Sequence, residues 1–284
     1  VAQTTASETV QPFTFNFSRN FVGALFLCTV IGWRRRTGQD KPPTSDGEDG
    51  YSRRTLIIGG IACGVLLCAF SFLQQAGITS YPPEAAASGR SGFVTATYMV
   101  MVAVMGVFVG KRPHPLVFLS VLVALFGMYL LCVHDGLGNV YVGDWLTLAC
   151  AFGCALHIIV IDQYTQVDGV RLSRVQLITA GTISLLGAIV FEQPTMAMIL
   201  AAAIPILYAG ICSDGIAYTL QIVAQQSTDP TVASIIMSLE SVFAALGGWL
   251  ILSESLTNVE LFGCALVFVA VLMAQAPQLV SRDQ

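Results

Sequence analysis

Arg19, Tyr98, His157, Asp214, Tyr218, Gln221 and Glu240 are polar side chains set inside stretches that are otherwise apolar. Glu240, in SIIMSLESVFAAL, lies near the middle of its run. An ionisable group at the centre of a bilayer costs at least ~2.5–3.5 kcal/mol on insertion scales, so each one calls for a partner or a task. Glu240 reads either as a cavity carboxylate that holds a cationic group or a proton, or as a packing carboxylate bonded to a neighbouring helix. Asp214, in GICSDGIAYTL, is the second such group. At α-helical spacing Asp214, Tyr218 and Gln221 fall at i, i+4 and i+7 and share one face, as a cavity wall would require. Gly215 equally suits a kink whose freed backbone groups Asp214 satisfies. Arg19 is placed to bind a substrate carboxylate, to pair with Glu240 or Asp214, or to snorkel toward headgroups. His157, in ALHII, is either a packed histidine or a proton relay. Tyr98, with Gln74, Gln75 and Thr95, offers a lining from the first half of the chain; Asp162 sits where a charge is cheap and reads as a gate or surface residue.

The elements that position these groups are membrane spans. Nine apolar stretches run through 13–33, 55–80, 91–110, 115–134, 142–162, 172–191, 196–222, 230–252 and 257–276. About 20 apolar residues cross a hydrocarbon core, and runs this long without alternation are helices. The expected fold is therefore all-α, a polytopic integral membrane protein. Only 11% of the 284 residues are charged, and the mean hydropathy is +0.74. The spans use up the chain, so no separate soluble domain is expected, and nothing in it suits nucleic acid. All eight cysteines lie in apolar runs without a CxxC pair, where cysteine behaves as a small hydrophobe. No HExxH, GxSxG or GxxxxGK[ST] occurs, so covalent, zinc and ATP chemistry have no candidate centre, and neither metal nor cofactor is expected.

The basic residues choose a side. Arg34, Arg35, Arg36, Lys41, Arg53, Arg54, Lys111, Arg112, Arg171, Arg174 and Arg282 all fall in alternate connections. The positive-inside rule places them, and the C-terminus, in the cytoplasm. Residues 37–50 (TGQDKPPTSDGEDG) read as a cytoplasmic loop, and 1–12 as a polar lead-in outside. Nine spans, starting from Val1, point to a first helix missing from a ten-helix whole.

The halves echo each other: AFSFLQQAGITSYP at 69–82 sets beside AYTLQIVAQQSTDP at 217–230. After a short gap Thr95 opposes Ser238 and Gly110 opposes Ser253. Equivalent spans then lie five helices apart and run in opposite directions, the inverted repeat of secondary transporters. The repeats are expected at 1–138 and 139–284. Gly60/Gly64 and Gly106/Gly110 are expected to let helices pack closely.

FTFNFSRNFVGALFL (13–27), SGRSGFVTATYMVMVAVMGVFVGKRP (88–113), GDWLTLACAFGCALHIIVIDQYTQ (143–166) and SLESVFAALGGWLILSESLTNVELFGCALVFVAVL (238–272) resemble the drug/metabolite transporter superfamily, in particular its EamA-type permeases. The family's SLEPV-like start reads SLESV here, with Ser241 in place of proline. The resemblance implies a ten-helix, two-repeat exporter or exchanger of small metabolites, and no enzyme. The expected location is the plasma membrane, and the sequence leaves monomer and homodimer open. Carboxylates, tyrosines and one arginine in the spans suit amino acids or similar zwitterions. Both lysines lie outside the spans, which argues against the nucleotide-sugar and triose-phosphate branches. An intramembrane enzyme acting on lipid, with Asp214, Glu240 or His157 as acid and base, is the reading from another class.

Overall fold

A computed structural model describes residues 10–38, 51–81, 87–110, 114–132, 140–240, 242–243 and 257–282. Among them no strand forms; the regular elements are helices. These are α1 (Pro12–Arg36), α2 (Arg53–Thr79), α3 (Ala87–Ala96), α4 (Tyr98–Phe108), α5 (Pro115–Cys132), α6 (Val142–Asp162) and α7 (Gly169–Phe191). Then come α8 (Met196–Ala201), α9 (Ala203–Tyr208), a π-helix (Ala209–Ala217), α10 (Tyr218–Gln225), α11 (Pro230–Met237) and α12 (Asn258–Arg282).

Among the described residues seven helical stretches are long and apolar enough to cross a membrane: Pro12–Arg36, Arg53–Thr79, Ser91–Phe108, Val142–Asp162, Gly169–Phe191, Ala203–Gln225 and Asn258–Pro277. Pro115–Leu130 is apolar but shorter. The expected span at 230–252 begins with α11, and most of its second half lies outside the described residues, as do Lys111, Glu254 and the loop at 39–50. The seventh expected span is not one plain helix, because α8 and α9 break at Ala202 and the π-helix follows directly.

The chain packs as two compact units, Val1–Gln75 with Val160–Ser227, and Ala76–Ile159 with Thr228–Gln284. Each unit draws on both halves of the sequence, so division by packing cuts across the division expected from the repeat.

In the first unit α1 and α7 are antiparallel and strapped at both ends. Pro12 opens α1 at a position where a missing N–H costs nothing. Its N-cap, Gln11, makes no side-chain capping bond. The orphan donors go instead to Glu192, just past α7, whose carboxylate accepts from the Phe13 N–H (2.7 Å), the Thr14 N–H (2.6 Å) and the Thr14 hydroxyl (2.7 Å). A carboxylate there also suits the positive end of the helix dipole. At the far end Asp168 caps α7 by accepting from the Arg171 N–H (2.9 Å). It accepts a fork from Arg34 as well, Nη1 to Oδ1 at 3.2 Å and Nη2 to Oδ2 at 2.9 Å. The Gly60/Gly64 pair packs α2 on α7: a Cβ on Gly64 would stand 2.6 Å from the Gln176 carbonyl oxygen. The second unit holds a core of Met99, Val102, Val121, Ala124, Met128, Ala155, Ile158, Ile235 and Val267. There α5 meets α12 where a Cβ on Gly127 would lie 2.9 Å from the Gly263 carbonyl. Gly110, expected to pack, has open space around it and φ +86° instead; it follows α4 in the left-handed conformation that favours glycine.

Candidate functional site

Three glycines let α1 approach the π-helix at backbone distance. A Cβ on Gly23 would come within 2.8 Å of the Gly210 carbonyl oxygen and 3.0 Å of the Asp214 Cβ. On Gly210 it would meet the Arg19 carbonyl oxygen at 2.7 Å, and on Gly215 the Phe26 ring at 2.7 Å. This contact places Arg19 Nε 3.4 Å from Asp214 Oδ2, with the side chains 4% and 0% exposed. Arg19 Cζ also stands 5.8 Å from the centre of the Phe15 ring. Arg19 therefore does not snorkel. Of the partners open to it in the sequence, the structure gives it Asp214.

The pair neutralises charge without completing its hydrogen bonds. Arg19 Nε, both Asp214 oxygens and the neighbouring Asn20 Oδ1 have no hydrogen-bond partner among the described residues. Attraction between opposite charges is strong at low dielectric, but a buried carboxylate without donors forfeits much of that gain. A π-helix, in which bonds run i→i+5, is rare and frequently marks a functional position. Buried charge, unfilled hydrogen bonds and irregular helix coincide at this one place.

The π-helix also alters the expected face. Asp214 is buried, whereas Tyr218 and Gln221, which continue into α10, are half-buried. The step from Asp214 to Tyr218 leaves the π-helix and is not a plain α-helical i, i+4 step. Nearby, the Ser173 and Thr219 hydroxyls meet at 2.8 Å and tie α7 to α10.

Tyr98, His157 and Glu240 belong to the second unit. Tyr98 is buried, and its hydroxyl donates to the Ser234 carbonyl at 3.2 Å. His157 is 2% exposed within α6. Glu240 is exposed, and lies close enough to Tyr98 and Cys154 to interact with both electrostatically. Gln74 and Thr95 are half-buried, Gln75 is buried and Asp162 is half-buried at the end of α6. Among the described residues no three His, Cys, Asp or Glu side chains form a group suited to a metal ion.

Two residues that organise the first unit were not singled out from the sequence. Glu192 and Asp168 sit at helix ends, where acids are ordinary, and their partners lie 178 or 179 and 134 residues away. Asp168 before a helical run is a legible N-cap; the link from Glu192 to α1 leaves no local signal.

Comparison with known proteins gives a consistent picture. The EamA-like transporter family matches residues 1–133 and again 141–275. An Archaeoglobus fulgidus protein described as an uncharacterized transporter is 28% identical over 275 residues, 94% of this chain and 78% of that protein. A solved crystal structure superposes with a TM-score of 0.75 at 18% identity, covering 95% of this chain and 90% of its own. That likeness speaks to the fold alone.

Proposed function

The chain belongs to the EamA-like transporter family, and from that premise we propose that it carries small organic solutes, amino acids or similar zwitterions, by alternating access. The observation that carries this reading is the buried pair of Arg19 on α1 and Asp214 on the π-helix, both within membrane-spanning segments. Charges in lipid are expensive, and irregular helix at membrane depth is a feature of carrier binding sites. An arginine and a carboxylate at one place match the two ends of a zwitterion. Within the same unit Tyr218 and Gln221 supply further polar groups for the solute.

The family match to each half supports two repeats. So does the antiparallel pairing of α1 with α7, since these are the first and sixth spans, five apart. The same pairing brings Arg34 to the N-terminal end of α7, which carries Arg171 and Arg174. Those basic residues share one end of the helix pair, as the positive-inside rule asks of a cytoplasmic face.

The test is counterflow of the twenty radiolabelled amino acids in proteoliposomes, with the parent protein and Asp214→Asn side by side. Flux in the parent that the folded variant loses supports the proposal. Absence of flux with all twenty removes the zwitterion class, and equal flux in both proteins removes Asp214 from the transport path.

A further inference from the structure

Two helices of the second unit are interrupted in the same way. Thr97 stands between α3 and α4 with φ −60° and ψ −13°; Ser238 follows α11 with φ −63° and ψ −17°. At both, the hydroxyl donates to the carbonyl three residues back, Thr97 to Val94 and Ser238 to Ile235, each at 2.6 Å. At both, the break residue's N–H reaches the same carbonyl at 3.2 Å. Such tightening, with a Ser or Thr hydroxyl bonded into the turn, is a recognised cause of bending and a mark of hinges. The register of the two halves sets these helices against each other, and the breaks fall at nearly corresponding positions.

The breaks are joined by one hydrogen bond. Tyr98, the first residue beyond the Thr97 break, donates its hydroxyl to the Ser234 carbonyl at 3.2 Å. That carbonyl also accepts the N–H of Ser238, the break residue of the other helix, at 3.3 Å. A carbonyl has two lone pairs, so both bonds coexist. A change of bend at Ser238 reorients the Ser234 carbonyl, and with it the ring that opens α4. Glu240 lies just beyond the Ser238 break, so the same bend re-aims its carboxylate.

We propose that Tyr98 couples the two breaks so that they bend together, which makes it a positioning residue for transport and not a solute ligand. The transport part rests on the function proposed above; the coupling itself does not. Hydrogen exchange of the full chain in lipid nanodiscs tests it, comparing Ser238→Ala, Tyr98→Phe and the double variant. Ser238→Ala is expected to change exchange at 98–101 by about fivefold with Tyr98 present and to leave it unmoved in the Tyr98→Phe background. An effect confined to 234–240, or equal in both backgrounds, overturns the coupling. Thr97→Ala gives the reciprocal measurement at 236–240, and decides the matter if Tyr98→Phe does not fold. In amino-acid counterflow Tyr98→Phe is expected to lower the maximal rate and leave KM unchanged; a raised KM with the rate intact makes Tyr98 a ligand. A parent protein without flux overturns the transport role, while the exchange comparison still decides the coupling.

Discussion

Arg19 and Asp214 face each other at 3.4 Å inside the first unit, and neither Asp214 oxygen accepts a hydrogen bond among the described residues. The relationship is electrostatic with little directional bonding. Each charge is tolerated because the other is present.

Removing one partner should therefore cost more than removing both. Arg19→Met or Asp214→Leu alone leaves an uncompensated buried charge and is expected to destabilise by about 3–5 kcal/mol. The double variant, apolar at both positions, should recover most of that loss. Thermal unfolding of the purified proteins in one detergent measures it. Additive losses would mean that the two side chains are not coupled.

Glu192 accepts three hydrogen bonds at the start of α1. Glu192→Ala should free those donors and cost about 1 kcal/mol, the usual worth of a helix cap. Hydrogen exchange should accelerate at residues 12–15 and stay unchanged at the Arg34 end. Uniform acceleration along α1 would show that the contact does more than hold one terminus.

The glycines of the first unit differ in what a methyl group would meet. At Gly187 a Cβ encounters the Phe13 ring at 2.7 Å, and at Gly23 the Gly210 backbone oxygen at 2.8 Å. A side chain can be trimmed and a backbone cannot. Gly187→Ala should lower the melting temperature in the parent and be nearly silent beside Phe13→Ala. Gly23→Ala should stay damaging with any single side-chain change at its neighbours. Rescue of Gly23→Ala by Leu177→Ala, which removes the Leu177 side-chain contact at 3.0 Å, would refute the backbone argument.

Gly110 holds a left-handed conformation without crowding, with φ +86° and open space around it. Gly110→Ala should cost about 1–2 kcal/mol through the left-handed conformation alone. Gly110→Asn should cost less, because Asn visits that region more readily. Equal melting temperatures for the two variants would locate the effect elsewhere.

Much of this was legible in the residues. The apolar runs at 13–33 and 172–191 anticipate α1 and α7 within a few positions, because length and hydropathy are local properties. Asp214 was among the partners open to Arg19, since two opposite charges in lipid have few alternatives. The π-helix was not legible: AGICSDGIA differs in no simple way from an α-helical stretch, and its close packing against Gly23 is a contact between residues far apart in sequence. The breaks at Thr97 and Ser238 were hidden for a similar reason, as threonine and serine are ordinary in membrane helices. Glu192 escaped because its partners are fixed by how α1 and α7 pair, and no local rule carries that.

The interleaving of the two units sets an order of assembly during synthesis. Residues 12–75 emerge before 160–227, with which they belong, and 76–159, which emerge between them, belong with 228–284. At ribosomal speeds α1 and most of α2 wait on the order of ten seconds for α7 and the π-helix. Throughout that interval Arg19 is in or near the bilayer without Asp214. Either the nascent α1 remains shallow until its counter-charge arrives, or insertion machinery holds it. Crosslinking of chains stalled before and after residue 214 would tell which, by whether Arg19 meets lipid or protein first.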